Sequence, residues 1–237
     1  MVFLIPSAFE SKAVLEELSQ SRMTRDEGGA RWHSGLWEGI PVVVGEIGMG
    51  SPHAARRAAV VLDQADPGSP VVLAGFGGAL QDGWSLGQIA LHAPHCQALD
   101  PELIRRLPPH QQVRIHTAHE VVATPEQKRS LFERTGCPVV DMETDDVEAV
   151  CRDRGRHLLT VRAISDTVHD AVPTDLLSRS YDQDQGRYTP VKLAGHLTRH
   201  PFGVRRLTRF IAPLPAVRTQ MTAFLKVLMH ESQALPW

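Results

Sequence analysis

The sequence predicts an α/β protein in which helices flank both faces of a mainly parallel or mixed β-sheet. Short apolar runs rich in valine, leucine and isoleucine alternate along the chain with segments of helical periodicity. The run at residues 71–75 is continuously apolar, which is typical of a strand that is covered on both faces. Strands and helices that alternate in this way build a sheet with helices packed on each side.

The first elements follow from these patterns. Residues 2–5 predict a buried strand, and residues 9–20 predict a helix whose apolar positions, Leu18 among them, share one face. Residues 42–48 predict the next strand. The helix after that strand is expected to begin at Ser51, a good N-cap residue that is followed by a proline at the first helical position.

The later elements have clear start and stop signals. Thr124 is a candidate N-cap and Gly136 a candidate C-terminal stop, so a helix is expected between them. A strand at residues 139–140 precedes a helix that starts at about Glu143. Residues 158–165 predict the last clear strand of the sheet.

Length and composition fit one globular domain over residues 1–237. The chain is 42% hydrophobic and 22% charged with a net charge of −2, so nucleic acid is not an expected partner. The opening apolar run lacks the features of a signal peptide, and no run of about 18 apolar residues predicts a membrane helix. The cysteines lack metal-site spacing and predict reduced thiols in a cytoplasmic protein; they are Cys96, Cys137 and Cys151.

The segment 173–237 predicts a loop followed by two or three helices, and it is strongly basic. Between Gln185 and His230 it contains eight lysines and arginines but no aspartate or glutamate. A solvated helix face is one explanation of this pattern. Contact with an anionic surface or ligand is the other.

The functional site is expected at one edge of the sheet, because ligands of open α/β sheets bind beyond the carboxyl ends of the strands. Five segments of the chain combine a strand end with polar or glycine residues. They are residues 7–12, 45–50, 75–78, 141–143 and 165–166.

Two of these segments are glycine clusters, at residues 45–50 and 75–78. Glycine lets the backbone approach a ligand closely, and the helix that follows Gly50 offers N-terminal amides to an anion. Tight strand-to-helix turns are the alternative explanation. Neither cluster has the spacing of a P-loop or of a dinucleotide-binding loop.

Two carboxylates stand at the ends of predicted strands. Asp166 is placed to act as a general acid if burial raises its proton affinity, and a turn or capping role is its alternative. Glu143 stands at a helix start, where a carboxylate also favours the helix dipole. The two acids together are more informative than either alone.

Taken together, these segments resemble the nucleoside phosphorylase/nucleosidase superfamily. Residues 45–55 are similar to its G-x-G turn and helix, and residues 74–80 and 86–89 to its glycine-rich strand end and the element that follows. Residues 139–151 resemble the VxMExxA signature of the family. Residues 161–170 resemble its RxISD signature.

The resemblance implies a single-domain nucleoside phosphorylase-like fold with a partly barrel-like central mixed β-sheet, no cofactor, no metal and a homo-oligomeric state. It implies that Asp166 supplies a proton or hydrogen bond to N7 of a purine and that Glu143 holds the ribose hydroxyls. The implied reaction is cleavage of the N-glycosidic bond of a purine (adenine) nucleoside. Negative charge stabilises the oxocarbenium-like transition state of this reaction. The other implied substrate contacts are Met142 beneath the sugar, Ser165 beside Asp166, Phe76 and Gly77 beside base and sugar, and Val121 and Val122, which match a strand that lines the base pocket.

One departure from the family pattern bears on the reaction. Nucleosidases of the superfamily carry a water-activating glutamate two positions after the residue that matches Glu10, where this chain has Lys12. A lysine there suits a phosphate anion better than it suits base catalysis. Phosphate is therefore the expected co-substrate, with hydrolysis as the alternative. The expected phosphate donors are Lys12 and the backbone amides of Gly48, Gly50 and Ser51, with Arg56 or Arg57 as further candidates.

The tail and the start of the chain resemble one subgroup. Residues 186–210 and 8–14 are similar to the hopanoid-associated phosphorylase-like proteins, which remove adenine from adenosylhopane. This resemblance implies a lipid-linked adenine nucleoside as substrate and peripheral membrane contact through the basic tail. An ordinary interface helix is the alternative for the tail. A non-catalytic nucleoside-binding protein is the alternative for the whole chain.

Overall fold

The computed structural model describes residues 1–50, 53–93, 101–174, 181–182, 187–188 and 201–232. In chain order the elements are β1 (Val2–Ile5), α1 (Ala8–Glu16), β2 (Leu18–Arg25), β3 (Arg31–Trp37), β4 (Ile40–Glu46), α2 (His53–Asp63), β5 (Val71–Ala79), β6 (Ile89–His92), α3 (Pro101–Arg106), β7 (His110–Gln112), β8 (Ile115–Thr117), α4 (Pro125–Thr135), β9 (Val139–Asp141), α5 (Thr144–Asp153), β10 (Leu158–Asp166), β11 (Tyr181–Asp182), β12 (Arg187–Tyr188), α6 (Pro201–Ile211) and α7 (Leu214–Ser232). The predicted α/β class with a mixed sheet is confirmed.

The centre of the sheet is parallel. β1 lies between β4 and β5, and β5 pairs with β10 on its other side, all in parallel. Antiparallel strands extend the sheet at both sides, with β3 and β2 beyond β4, and β6 beside β10. β5 runs on past the end of β1 and pairs there with β9, so the sheet branches at the carboxyl end of β5.

Helices cover both faces of the sheet, as the alternating pattern predicts. On one face, Phe3 and Ile5 of β1 pack in a cluster with α1, α3 and α7. On the other face, Val2 and Leu4 of the same strand pack against α2 and α5. The four consecutive apolar residues of β1 are fully buried because the strand has a helical layer on each side.

The C-terminal helix α7 is part of the main core. Six of its apolar residues are buried in the first of these clusters: Val217, Met221, Phe224, Leu225, Leu228 and Met229. Its Arg218 donates a hydrogen bond from Nη1 to the carbonyl of Phe9 at 3.0 Å and lies over the Phe9 ring, 4.7 Å from its centre. α7 therefore holds the first turn of α1 in place.

Local signals predicted α4 well. The Thr124 hydroxyl oxygen accepts a hydrogen bond from the amide of Gln127, and the Gln127 side-chain oxygen accepts one from the amide of Thr124. Gly136 ends the helix with φ of 64°, a conformation that favours glycine. The predicted capped helix between these two residues is confirmed.

One helix prediction is wrong in extent. α1 ends at Glu16, and Leu18, expected on its apolar face, begins strand β2 instead. β2 pairs with β3 along most of its length, and this sheet pairing outweighs the helical pattern of the local sequence. The predicted cap at Ser51 lies outside the described residues. Within the described part of the chain, no helix is both long and apolar enough to cross a membrane.

Candidate active site

Strand ends of the central sheet bring four acidic side chains towards the glycine-rich stretch of β5. Glu10 comes from the first turn of α1 after β1, Asp141 ends β9, Glu143 precedes α5, and Asp166 ends β10. All four are buried, with at most 6% of each residue exposed. These acidic side chains lie at the carboxyl ends of strands, where the sequence predicts the functional site.

Glu10 is turned into the protein by the capping of α1. Ser7 is the N-cap of this helix, and its hydroxyl donates a short hydrogen bond to Glu10 Oε2. The amide of Phe76 in β5 donates to Glu10 Oε1 at 2.7 Å. Burial raises the pKa of Glu10, and the hydrogen bonds from Ser7 and Phe76 offset this only in part.

Arg162 lies at the centre of the acidic group and is fully buried. Its Nε and Nη2 donate to Asp141 Oδ2 at 2.8 and 2.5 Å, and Nη2 also reaches Glu143 Oε2 at 3.0 Å. A Cβ atom added to Gly75 would lie 2.4 Å from Arg162 Nη1 and 3.0 Å from Glu10 Oε1, so both groups converge on this glycine. Among the described residues, Nη1 has no hydrogen-bond partner.

In addition to Arg162, Asp141 binds residues at the start of α5. It accepts hydrogen bonds from the hydroxyl of Thr117 at 3.0 Å and from the amide of Thr144 at 3.3 Å. The Thr144 hydroxyl donates a short bond to the other carboxylate oxygen. Asp141 thus joins β8, β9, α5 and β10 at one buried point.

Glu143 is held between a loop amide and the buried arginine. The Gly50 amide donates to its Oε1 at 3.0 Å, and Arg162 binds Oε2. Burial raises the pKa of Glu143 to about 7, with Arg162 opposing and Asp141 adding to the rise. The half-buried Met142 points the same way, because a Cβ on Gly50 would lie 3.6 Å from its methyl group.

Asp166 is oriented by a shift in strand register. Ile164 pairs with Gly77 but Asp166 pairs with Gly78, so β10 advances two residues against one of β5. Neighbouring side chains of a regular strand point to opposite faces, whereas this shift lets them meet. The Ser165 hydroxyl donates to Asp166 Oδ1 at 2.7 Å.

The other carboxylate oxygen of Asp166 is bound by a buried lysine. Lys128 of α4 donates from Nζ to Oδ2 at 2.5 Å, and its side chain is fully buried. Gly78 leaves the space for this carboxylate, since a Cβ there would lie 2.9 Å from Oδ2. Glu10 and Asp166 contact β5 two residues apart, which is roughly 7 Å along the strand.

The remaining residues predicted to contact the substrate differ in burial and in the parts of the fold that they contact. Phe76 is half-buried and packs edge-to-face on Phe9 with ring centres 6.1 Å apart, and Gly77 is buried beside Ser165. Val121 and Val122 are in the connection between β8 and α4, so the expectation that they belong to a strand is wrong. Val121 is 46% exposed, whereas Val122 packs against the small cluster around Leu80.

The predicted phosphate donors are not gathered in one place. Lys12 is on the exposed side of α1, 3.7 Å from Glu16. The Gly50 amide is bound to Glu143, and Gly48 lies against the guanidinium of Arg57. Ser51 lies outside the described residues. The phosphate site therefore stays a prediction.

Sequence reasoning missed two cations of the site. Arg162 interrupts a strand that is otherwise largely apolar, and a charge in such a strand indicates a buried ion pair. Lys128 stands in the first turn of α4, where the helix dipole disfavours a positive charge. Both signals were present in the sequence, but each depends on knowing which residues are buried.

The family model of the phosphorylase superfamily matches residues 91–188, which include Glu143, Arg162 and Asp166. No curated protein sequence matches the chain. The fold is similar to a futalosine hydrolase mutant from Helicobacter pylori, at 15% identity and a TM-score of 0.69, over 97% of this chain and 98% of that one.

Two further solved structures have the same fold. One is an S-adenosylhomocysteine nucleosidase from Streptococcus pyogenes, at 13% identity and a TM-score of 0.67, over 96% of this chain and 94% of the other. The second is a 5'-methylthioadenosine/S-adenosylhomocysteine nucleosidase from Neisseria meningitidis, at 15% identity and a TM-score of 0.65, over 96% and 97%. The phosphorylase superfamily model thus matches the segment 91–188, and these solved structures are similar in fold to nearly the whole chain.

Proposed function

We propose that this protein cleaves the N-glycosidic bond of an adenine nucleoside and that water is the attacking group. One observation carries the proposal. Glu10, Glu143 and Arg162 converge at one end of the glycine-rich stretch of β5, and Asp166 lies at the other end. This arrangement offers one acidic group to a leaving base and a separate acidic group to a sugar.

Asp166 serves the base end of the proposed reaction. Its carboxyl is fixed by Ser165 on one oxygen and Lys128 on the other. A hydrogen bond or proton given to N7 of the purine makes the base a better leaving group. The glycine at position 78 keeps the space beside this carboxyl free of a side chain.

Glu143 and Met142 serve the sugar end. Above about pH 7, where Glu143 is ionised, its carboxylate is an acceptor for two ribose hydroxyls, and its charge stabilises the oxocarbenium-like transition state. Arg162 fixes the position of Glu143 from behind, while Met142 offers an apolar surface beside Gly50. These contacts orient the ribose relative to Asp166.

Glu10 and Arg162 are suited to hold the attacking water. The Nη1 donor of Arg162 and the Oε1 acceptor of Glu10 meet at Gly75, so a water there would find a donor and an acceptor. Burial raises the pKa of Glu10, which makes its carboxylate a stronger base towards a bound water. Position 12, where the family's nucleosidases carry their glutamate, is thus not needed for a base in this chain.

The charge balance favours water over phosphate. Three carboxyl groups, of Glu10, Asp141 and Glu143, surround the single guanidinium of Arg162. A phosphate dianion placed among them would be repelled, because this guanidinium is already paired with two of the carboxyls. Phosphorolysis with Lys12 as a donor is the competing prediction, and the experiment below separates the two.

The proposed substrate class follows the neighbours of this fold. Their names specify futalosine, S-adenosylhomocysteine and 5'-methylthioadenosine as substrates. We therefore propose a purine nucleoside, with adenine as the base, that carries a substituent at its 5' position.

The test is product analysis in the presence and absence of phosphate. Adenosine, methylthioadenosine and S-adenosylhomocysteine are incubated with the protein in phosphate-free buffer, and release of adenine and free sugar is measured by chromatography. We expect free sugar without phosphate, and Asp166→Asn should abolish release while leaving the fold intact. A strict need for phosphate with a sugar 1-phosphate product would contradict hydrolysis. Adenine binding without turnover of any substrate would favour a non-catalytic binding protein.

A lipid-linked nucleoside such as adenosylhopane is the second candidate substrate, and one observation favours it. α6 presents three exposed arginines, Arg205, Arg206 and Arg209, on a helix that buries Leu207. Such a helix suits contact with anionic headgroups. Adenosylhopane in vesicles tests this substrate, and co-sedimentation with anionic vesicles at low and high salt tests the membrane contact. Analytical ultracentrifugation tests the expected homo-oligomer.

A further inference from the structure

Lys128 has an environment that its position in a helix does not explain. It lies in the first turn of α4, where the helix dipole disfavours a cation, and its side chain is fully buried. Burying a lysine is costly unless its donors are satisfied. The structure therefore contains a charge that is unfavourable in two ways, and its partners give the reason for it.

The ammonium group has one acceptor for each of its three hydrogens. It donates to Asp166 Oδ2 at 2.5 Å, to the carbonyl of Thr167 at 2.7 Å and to the carbonyl of Asp170 at 2.8 Å. The two carbonyls are held by a turn in which the Asp170 side chain accepts from the amide and the hydroxyl of Thr167. This turn forms a rigid cradle for a protonated lysine.

The same set of partners also fits the neutral amine. An amine that has lost one proton keeps two N–H donors for the two carbonyls, and its lone pair accepts from a protonated Asp166. A proton can thus move from Lys128 Nζ to Asp166 without rearrangement of the heavy atoms. An arginine in this place would keep the charge but would not release a proton.

We propose that Lys128 is a positioning residue that supplies, through Asp166, the proton taken up by the leaving base. This inference rests on the proposed function. As the C1'–N9 bond breaks and its electron pair moves to the purine, the Lys128 ammonium gives a proton to the Asp166 carboxylate, and Asp166 passes a proton on to N7. Water adds to C1' and leaves its second proton on Glu10. After product release, Glu10 loses that proton to solvent and Lys128 regains one.

The charged groups around Lys128 are consistent with this relay. Within the part of the chain that the structure describes, Asp166 is the one carboxylate that the Lys128 ammonium contacts, since Asp170 faces it with a backbone carbonyl. Burial acts to raise the pKa of Asp170, but hydrogen bonds from Thr167 and the cations Lys128 and Arg209 of α6 lower it overall. The Asp170 carboxylate is bound within its own turn. The proton of Lys128 therefore has Asp166 as its acceptor.

The experiment compares Lys128→Met, Lys128→Arg and the surface control Lys226→Met, with Asp166→Asn as a reference. kcat and KM are measured with whichever of the three nucleosides named above the wild type cleaves, and folding is checked by circular dichroism and thermal melting. We expect kcat to fall by about 10²-fold for Lys128→Met, in the range of lost acid catalysis, with little change in KM. Lys128→Arg should recover melting temperature but not kcat, and Lys226→Met should match the wild type.

Other results would overturn the inference. Wild-type kcat in Lys128→Met would remove the lysine from the reaction, and full recovery of kcat in Lys128→Arg would reduce its role to a fixed charge. If both variants fail to fold, the kcat of Glu10→Gln is measured in mixtures of H₂O and D₂O, because this variant cannot pass a proton from water to residue 10. A curved dependence on the deuterium fraction then supports transfer of two protons through Asp166, and a linear one contradicts the relay. No cleavage of any nucleoside by the wild type would instead refute the proposed function.

Discussion

The guanidinium of Arg162 places two hydrogen bonds on a single carboxylate oxygen of Asp141, from Nε at 2.8 Å and Nη2 at 2.5 Å. Both side chains are fully buried. The pair joins the last strand of the sheet to the strand that leads into Glu143. Because Nη2 also binds Glu143, the position of the Glu143 carboxyl depends on this buried pair.

Asp141→Asn should destabilise the protein severely. The change leaves Arg162 as a buried cation with less than its full set of partners, and breaking a buried pair costs about 3–5 kcal/mol. Chemical denaturation measures the free energy of unfolding. Asp63→Asn is the matched control, because Asp63 pairs with Arg154 at the surface and such pairs contribute about 1 kcal/mol or less. Equal losses in the two variants would contradict the importance of the buried pair.

The raised pKa of Glu143 predicts how stability depends on pH. The folded protein keeps a proton on this carboxyl up to about pH 7, whereas the unfolded chain loses it near 4.5. The free energy of unfolding should therefore fall as pH rises from about 5 to 7, by about 2–3 kcal/mol from this group. Glu143→Gln should remove this part of the pH dependence. The free energy of unfolding is measured by denaturation at several pH values across that range. The same pH dependence in Glu143→Gln and the wild type would show that Glu143 titrates normally.

Gly78→Ala tests the space reserved for Asp166. A methyl group at this position would lie 2.9 Å from Asp166 Oδ2 and 3.3 Å from a Val140 methyl, so the carboxylate must move. We expect a stability loss of about 1–3 kcal/mol, typical of overpacking, and at least a tenfold fall in kcat. Gly68→Ala is the control, since its added methyl meets only the Asp66 carboxylate at 3.4 Å. Full activity of Gly78→Ala would show that the carboxylate tolerates displacement.

Glu10→Gln separates the proposed water-activating group from its helix. The amide preserves size and can still accept from the Phe76 amide, and its NH₂ group can donate to the Ser7 hydroxyl, but it cannot take a proton. We therefore expect kcat to fall by about 10²-fold or more while the melting temperature changes little. Glu16→Gln, on the exposed side of the same helix, should retain wild-type kcat. Steady-state kinetics of both variants gives the comparison. Normal turnover by Glu10→Gln would assign base catalysis to another group.

The same kinetics test the predicted phosphate contact. If the Lys12 ammonium pairs only with Glu16 at the surface, Lys12→Ala should change activity less than twofold, because exposed ion pairs contribute little free energy. A large rise in the phosphate concentration needed for half-maximal rate would restore Lys12 to the site.

The sequence allowed the fold class, the edge of the site and the two acids Glu143 and Asp166 to be predicted, because strand ends and signatures are local patterns. The length of α1 was not predictable from helical periodicity, since β3 recruits Leu18 and its successors into the sheet. The roles of Lys128 and Glu10 were not predictable from the sequence either. Their roles depend on contacts with Asp166 and Phe76, which are 38 and 66 residues away along the chain.

The anchoring of α7 has a practical consequence for experiments on the basic tail. Arg218 clamps the first turn of α1, which carries Glu10, and the apolar residues of α7 fill the main core. A truncation before Leu214 would therefore unfold the protein, and the resulting loss of vesicle binding would not report on membrane contact. Charge reversal at Arg205 and Arg209 on the preceding helix leaves the contacts of Arg218 intact. These substitutions therefore test membrane contact without removing α7.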